Sequence, residues 1–280
     1  IANGGPTFSD AFGKAISRLA ERDQRVCVIT AAMSNGTGLD LFSLKHPQRF
    51  FDVGIAEEHA AAMAAGMAKQ GLIPVFAVYS TFLQRSYDAL IHDVAIQNLH
   101  VVFCVDRAGL IGQDGETHQG TFDVAFLCQV PKLKVFCPSN FAELDRMLEQ
   151  ALFDTDGPVA VRYPRGGELD FQTDRSGTDA LLLREGTDIT VVSYGILINN
   201  ALDAASELAK NGIEAEIVKL NVINPIDFDL ILSSVEKTGR LMVIEDCIFE
   251  GCVGQRVLSH MTEKGQSAKD IILRNTGDSF

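Results

Sequence analysis

The chain has 280 residues, of which 46% are hydrophobic and 22% are charged, and its formal net charge is −13. This composition is typical of a globular protein with a sizeable core, long enough for two domains. The acidic balance argues against nucleic acid or an anionic membrane surface as a general partner. Anionic small molecules stay possible because a few local arginines suffice to bind them.

The six cysteines form no C-x-x-C pair, and four of them lie in or beside apolar runs such as "RVCVIT". This pattern predicts buried free thiols in a reducing compartment. No signal peptide and no apolar run of membrane length is visible in the sequence. We therefore expect a cytoplasmic protein without a membrane span.

Short β-branched runs alternate with longer amphipathic segments in the first part of the chain. Strands are predicted at 26–30, 50–54, 73–79, 100–106, 132–137 and 158–163, and helices at 9–22, 57–69, 81–97 and 142–153. Near-continuous apolar strands that alternate with helices indicate a parallel sheet covered on both faces.

A polar, glycine-rich stretch at 164–187 interrupts this rhythm and is interpreted as a linker. A second alternation follows, with strands predicted at 189–195, 215–220, 240–246 and 270–275. The expected fold class is α/β, with two successive domains, each a mostly parallel sheet with helices on both faces. The domains are placed at 1–170 and 171–280. The second is expected to lack its final tail, because the sequence ends directly after the last strand.

Glu57, Glu58 and His59 begin the helix predicted after the strand at 50–54. Acids at a helix N-terminus offset the macrodipole and need no further function. However, residues 60–67 are small and apolar all round, which predicts a buried helix. The carboxyl end of a strand is also where ligands bind in α/β sheets. One of these carboxyl groups is therefore a candidate proton donor or relay.

The run "YSTFLQRSYDAL" follows the strand at 73–79 and brings Tyr79, Phe82 and Arg85 together. At helical spacing Phe82 and Arg85 share a face. The pattern indicates either a core phenylalanine beside a surface arginine, or a flat stacking pocket with a cation next to it.

The segment "DRAGLIGQDGETHQG" (106–120) is too long and too rich in glycine for a tight turn. Long polar loops at the carboxyl end of a strand often carry sites, so we interpret it as a substrate-binding loop. A metal site formed by Asp114, Glu116 and His118 is the weaker hypothesis, because their spacing fits no strong ligand template.

The run "VRYPRGG" ends the last strand of the first domain. Its Arg165 is either part of a basic rim before the linker or, with Arg107, one of two guanidinium groups suited to a phosphate. The sequence contains no P-loop, no G-x-G-x-x-G and no G-x-S-x-G. It also lacks the "GDG" followed by Asn that holds Mg²⁺ and the diphosphate in thiamine diphosphate enzymes.

Four segments carry a family resemblance: "GIAEEHAAAMAAGMA", "YSTFLQRSYDALIHDVAIQ", "DRAGLIGQDGETHQG" and "GPVAVRYPRG". In this order and spacing they resemble the 1-deoxy-D-xylulose-5-phosphate synthases, a thiamine diphosphate-dependent family of the transketolase superfamily. The matches span about residues 25–167, and weaker similarity continues through "INPID" and "GRLMVIED". The resemblance implies a pyrimidine-binding domain at 1–170 and a transketolase C-terminal-like domain at 171–280.

The resemblance also implies roles for individual residues. Glu57 would hydrogen-bond the aminopyrimidine ring of thiamine diphosphate and activate it. Glu58 stands where the family usually has Gln, and His59 has no assigned role. Tyr79, Phe82 and Arg85 would line the cofactor pocket. Tyr79, Asp114 and His118 would face the substrates, and Asp114 and His118 would also be catalytic. Arg107 and Arg165 would bind a phosphate or a carboxylate.

The implied reaction joins pyruvate to D-glyceraldehyde 3-phosphate and yields 1-deoxy-D-xylulose 5-phosphate and carbon dioxide, for isoprenoid, thiamine and pyridoxal synthesis. Mg²⁺ and the diphosphate would be held by the family's N-terminal domain, outside these residues, and the family implies a homodimer. Alternatives are the second subunit of a split transketolase or 2-oxoacid dehydrogenase, or a non-catalytic partner. The runs "DGETHQG" and "STFLQR" favour the synthase.

Overall fold

The computed structural model describes residues 5–112 and 115–278, which form two sheets flanked by helices. In chain order the strands within these residues are β1 (Val26–Thr30), β2 (Phe50–Asp52), β3 (Ile73–Tyr79), β4 (Val102–Asp106), β5 (Lys134–Phe136), β6 (Val159–Arg162), β7 (Ala180–Arg184), β8 (Ile189–Tyr194), β9 (Ala215–Leu220), β10 (Val222–Asn224), β11 (Arg240–Ile244) and β12 (Asp270–Arg274).

The α-helices of the described residues are α1 (Phe8–Arg22), α2 (Asp40–Lys45), α3 (Glu57–Lys69), α4 (Ser80–Leu83), α5 (Tyr87–Ala89), α6 (Asp123–Gln129), α7 (Phe141–Phe153), α8 (Ile198–Ala209), α9 (Phe228–Thr238) and α10 (Val253–Glu263). Short 3₁₀ turns occur at Pro47–Arg49, Gln84–Ser86, Glu116–His118 and Gly195–Leu197. The helices α2 and α6 are not predicted from the sequence, because they are too short for a clear helical period.

The larger sheet has the spatial order β10-β5-β6-β4-β3-β1-β2, and all its pairs are parallel except β10 with β5. Successive strand residues face opposite layers, as the period of a strand requires. Val28 and Val75 pack into the layer that contains α1 and α7, whereas Ile29 and Phe76 pack into the layer that contains α3. The predicted fold class, with helices on both faces of a mostly parallel sheet, is confirmed.

The smaller sheet has the order β12-β11-β8-β9-β7, and β7 runs antiparallel to β9 at its edge. The interpretation of 164–187 as a linker is therefore wrong in part, because β7 lies within it. The polar residues around "ALLLR" hid this strand. Only Ala180 of its five residues is buried, and Leu182 on the same face is 39% exposed.

The two sheets are connected by a strand pair, by a buried ion pair and by a shared hydrophobic cluster. β10 follows β9 in the chain but pairs with β5 of the larger sheet. Lys219 of β9 also forms a fully buried ion pair with Glu143 of α7, with 3.1 Å between Nζ and Oε2. One hydrophobic cluster continues from the α3 layer into the smaller sheet. The proposed division at residues 170 and 171 remains a prediction.

The helical segment predicted at 81–97 is present over residues 80–95, but it is not one regular α-helix. The chain instead passes through α4, a 3₁₀ turn at Gln84–Ser86, α5 and a π turn at Leu90–Ala95. Apolar periodicity cannot distinguish these windings, because all of them keep Leu83, Leu90 and Val94 on the core. π turns within helices occur frequently at functional sites.

All six cysteines are free, and all but Cys128 are buried. Burial raises the pKa of Cys27 to about 11, so this thiol stays protonated and unreactive at neutral pH. Within residues 5–112 and 115–278, no helix is both long and apolar enough to cross a membrane.

Candidate active site at the carboxyl edge of the larger sheet

The carboxyl ends of neighbouring parallel strands bring most of the candidate residues to one edge of the larger sheet. β3 ends at Tyr79, Arg107 directly follows β4, and Arg165 lies shortly after β6. β3, β4 and β6 are adjacent in the sheet, and the amide of Ala108 donates to the carbonyl of Tyr163 at 3.0 Å. Ligand sites of open α/β sheets form at this edge.

Glu57 differs sharply from the two ionisable residues that follow it. Its side chain is 2% exposed, whereas Glu58 and His59 are exposed. Arg85 donates from Nη1 to Oε1 of Glu57 at 2.6 Å, and 47% of the Arg85 side chain is exposed. The structure thus presents one buried carboxylate with an arginine that reaches it from the solvent side.

The expectation that α3 is buried all round is wrong. Ala60, Ala61 and Ala64 are fully buried, but Ala62 and Gly66 on the opposite side are exposed. Small apolar residues obscure helix amphipathicity, because alanine and glycine are tolerated in both environments.

Phe82 lies at the centre of a cluster of flat side chains. Its ring stacks with Tyr79 at a centroid distance of 5.9 Å, and His118 meets it edge-on at 5.3 Å. The guanidinium carbon of Arg85 lies 4.8 Å from the Phe82 centroid. Thr81 donates to the carbonyl of Thr117 at 3.1 Å and so holds the loop of His118 against α4.

Arg107 joins this cluster from the end of β4. Its φ of 59° lies in the left-handed region, which is uncommon for a side chain of this size. Its guanidinium carbon lies 3.7 Å from the Tyr79 centroid, and Nη1 donates to the carbonyl of Gly36 at 2.9 Å. Residues in such sparsely populated backbone regions cluster at active sites and ligand clamps.

Gly36 belongs to the site but was missed in the sequence. A Cβ atom at Gly36 would lie 1.6 Å from the Tyr79 hydroxyl, so only glycine allows this close approach without a shift of the tyrosine. The signal in the sequence is the run "SNGTG", whose asparagine and two glycines are typical of a tight turn.

Asp106 lies behind Arg107 and is fully buried. Burial raises its pKa to about 6, against the opposing effects of Arg107 and of a hydrogen bond from Ser9 Oγ at 2.6 Å. This carboxyl group thus changes protonation close to neutral pH, in direct contact with a candidate anion-binding arginine.

The remaining candidate residues are Arg165 and three residues of the segment 106–120. Arg165 is half-buried beyond β6. Asp114 lies outside the described residues. Glu116 and His118 occupy a 3₁₀ turn, and no group of three or more His, Cys, Asp and Glu in the part of the chain that the structure describes could hold a metal ion.

These features define a class of protein. It is an α/β protein with two parallel-rich sheets, whose candidate ligand site combines a buried carboxylate, stacked rings and arginines at the carboxyl edge of the larger sheet. The chain matches the family model of the transketolase pyrimidine binding domain over residues 5–167, and that of the transketolase C-terminal domain over residues 178–277. It therefore belongs to the transketolase family.

Bacterial proteins described as 1-deoxy-D-xylulose-5-phosphate synthase are similar to this chain over most of its length. The protein of Microcystis aeruginosa (strain NIES-843 / IAM M-2473) is 43% identical over 264 residues, which are 92% of this chain and 42% of that protein. The protein of Desulforudis audaxviator (strain MP104C) is 44% identical over 279 residues, which are 98% of this chain and 44% of that protein. The chain thus spans less than half the length of these relatives.

Solved structures show the same fold. A structure described as a split gene transketolase, inactive beta4 tetramer, superposes with a TM-score of 0.86 at 29% identity, covering 99% of this chain and 91% of that one. Transketolase from Campylobacter jejuni superposes with a TM-score of 0.73 at 20% identity, covering 95% of this chain and 42% of that one.

Proposed function

We propose that this chain forms the pyrimidine-binding and C-terminal portion of a thiamine diphosphate-dependent synthase. The synthase joins pyruvate to D-glyceraldehyde 3-phosphate and releases 1-deoxy-D-xylulose 5-phosphate and carbon dioxide. The observation that carries the proposal is the buried carboxylate of Glu57, held at 2.6 Å by Arg85 beside the ring of Phe82. The identity of 43–44% to proteins named as this synthase supports the choice of reaction.

The residues fit the aminopyrimidine end of the cofactor. The Arg85 guanidinium is a flat, nitrogen-rich group that hydrogen-bonds Glu57 and lies over Phe82. An aminopyrimidine ring would find the same two partners here, a carboxylate to hydrogen-bond and an aromatic face to stack on. When bound, thiamine diphosphate supplies the carbon nucleophile and electron sink for pyruvate decarboxylation.

The chain's own residues then have separate tasks. Glu57 would hold a proton at the pyrimidine ring nitrogen, and its burial would keep water away from that hydrogen bond. Tyr79 and Phe82 form the wall of the pyrimidine pocket and orient the ring. Arg107 and Arg165 bind the phosphate of glyceraldehyde 3-phosphate or the carboxylate of pyruvate. His118 faces the substrates, together with Asp114, which lies outside the described residues.

The rest of the cofactor needs groups that this chain does not present in its described residues. We propose that Mg²⁺ and the diphosphate are held by an N-terminal transketolase-type domain, on the same or another polypeptide. A split gene transketolase, inactive as a tetramer of a chain of similar extent, is consistent with this requirement. We further propose that the enzyme is a cytoplasmic homodimer and that its product is used for isoprenoid and thiamine synthesis.

The deciding experiment combines the chain with the matching diphosphate-binding domain, thiamine diphosphate and Mg²⁺. Pyruvate and glyceraldehyde 3-phosphate are supplied, and the pentulose phosphate is measured by mass spectrometry. Formation of 1-deoxy-D-xylulose 5-phosphate supports the proposal, whereas a folded stoichiometric complex without product overturns it.

The split gene structure favours one alternative, a transketolase subunit. The same complex, supplied with a ketose phosphate donor and an aldose phosphate acceptor in place of pyruvate, tests it. Ketol transfer without pyruvate decarboxylation would identify a transketolase.

A further inference from the structure

A buried triad of charged side chains joins the two sheets beneath the candidate site. Arg162 at the end of β6 is 3% exposed, and it donates from Nε to Asp123 at 2.9 Å. From Nη2 it donates to Oδ1 of Asp246 at 3.1 Å. Asp123 begins α6, which lies in the chain between β4 and β5 of the larger sheet, whereas Asp246 follows β11 of the smaller sheet. One arginine thus fixes a carboxylate from each side of the junction.

The second oxygen of Asp246 lies against the loop of the candidate site. A Cβ atom at Gly109 would lie 2.0 Å from Oδ2 of Asp246, so the glycine backbone packs directly on this carboxyl group. Gly109 has a φ of 73°, in the region that glycine adopts without strain. The loop can take this position because residue 109 has no side chain.

The loop closes on itself at the same point. Gly109 and Gly120 exchange two backbone hydrogen bonds of 2.9 Å each, which pair the two ends of the segment. The next residue, Thr121, accepts a hydrogen bond from the amide of Ile248 at 3.0 Å. Both ends of the loop are therefore attached to the segment that follows β11.

We propose that Asp246 is a positioning residue for the candidate site. Held by Arg162, it forms the base on which Gly109 packs, and it thereby fixes where the loop presents Arg107 and His118. This inference rests on the proposed function for its catalytic consequence, whereas its structural part concerns the chain alone. Through Asp246, the smaller sheet would influence the candidate site although Asp246 itself would not contact a ligand.

The cost of removing charged groups from water offsets much of the attraction within a buried ion pair, so we do not expect this triad to add much to the free energy of unfolding. Its specific effect is on geometry. A displacement of catalytic or binding groups by about 1 Å can cost on the order of a hundredfold in rate. Gly109 lies two residues from Arg107, so a shift at Gly109 displaces the backbone that carries this arginine.

The test compares backbone hydrogen exchange in the wild-type chain, Asp246→Asn and Gly109→Ala. In the wild type, the amides of Gly109, Gly120 and Ile248 should exchange as slowly as those of β4. In both variants we expect them to exchange at least about tenfold faster, while the amides of β8 keep their rates. Fast exchange in the wild type, or unchanged rates in folded variants, overturns the proposal.

Asp123→Asn is the matched control, because it removes the other carboxylate from Arg162 without touching Gly109. A purely structural triad predicts equal loop exchange in Asp123→Asn and Asp246→Asn, which would contradict the proposal. In the reconstituted complex, Asp246→Asn should raise the KM for glyceraldehyde 3-phosphate about tenfold and change kcat less than about threefold. If the wild-type complex makes no product, the proposed function fails while the exchange data still decide the positioning role.

Discussion

Arg85 Nη1 lies 2.6 Å from Oε1 of the buried Glu57, and its guanidinium carbon also lies 4.8 Å from the Phe82 centroid. One arginine therefore touches both groups that a flat cofactor ring would need. The pair is asymmetric, because Glu57 is 2% exposed while Arg85 is half in solvent. Solvent at Arg85 screens this pair more than it would screen an ion pair buried on both sides.

Glu57→Ala should abolish turnover in the complete enzyme while the chain stays folded. The reason is that the carboxylate acts on the cofactor, and loss of a general acid or base typically costs about 10²- to 10⁴-fold in rate. The measurements are steady-state product formation and the circular dichroism spectrum. Glu58→Ala is the control, since this neighbour is exposed and should retain normal turnover. A Glu57→Ala enzyme with near-normal rate would refute the role in cofactor activation.

Arg165→Ala should raise the KM for glyceraldehyde 3-phosphate more than that for pyruvate, by about tenfold or more. A phosphate gains more from a guanidinium than a carboxylate does, because it presents more charge and more acceptor oxygens. Initial rates with each substrate varied in turn measure the effect. Arg25→Ala, which removes an exposed arginine paired with Asp23, should change neither constant. Equal effects of Arg165→Ala on both substrates would argue against a phosphate contact.

Asp106 should make stability depend on pH in an unusual direction. Its folded pKa of about 6 exceeds the ordinary value of 3.8, so the native state holds this proton more tightly than the unfolded state does. The contribution of Asp106 is therefore most favourable below about pH 4 and falls as the pH rises to about 6, by on the order of 3 kcal/mol.

Asp106→Asn removes this titration but keeps an acceptor for Ser9. The free energy of unfolding of Asp106→Asn, relative to that of the wild type, should thus increase between about pH 4 and pH 7. Urea titrations at a series of pH values measure the difference, with Asp203→Asn on the surface as control. A difference that stays constant over this range would show that Asp106 is ionised throughout.

Lys219→Met should destabilise the chain by about 3–5 kcal/mol, because it leaves the fully buried Glu143 without its cation. Urea unfolding at neutral pH measures this cost. Adding Glu143→Gln to Lys219→Met should recover part of it, since the uncompensated charge is then gone. Lys210→Met, which breaks an exposed pair with Glu207, is the control and should leave the unfolding midpoint unchanged. A loss in Lys219→Met no larger than in this control would contradict the prediction.

Local sequence pattern predicted much of the fold. The apolar runs of β1 and β3 are predicted residue for residue, because strands buried on both faces have no polar face to blur their ends. The cap of α7 is likewise local, with Asn140 Oδ1 accepting from the amide of Glu143 at 2.9 Å. The strand β7 and the windings between Ser80 and Ala95 were missed, because their apolar residues follow no single period.

The candidate site divides in the same way. Sequence identified Glu57, Tyr79, Phe82, Arg85 and Arg107 as candidates, since chemically distinctive residues follow apolar strands. It could not separate Glu57 from Glu58 on physical grounds, because neighbouring helical residues point in different directions and only packing decides which is buried.

By itself, then, the sequence determined the fold class, the family and the edge of the sheet at which the candidates lie. These depend on short-range periodicity and on contiguous motifs. Only the tertiary structure decided that Arg85 reaches Glu57, that Gly36 accepts from Arg107, and that Asp246 lies against Gly109. Each of these contacts joins segments that follow different strands. The order of the strands in a sheet is set by the crossover connections and by the shared core rather than by local sequence pattern.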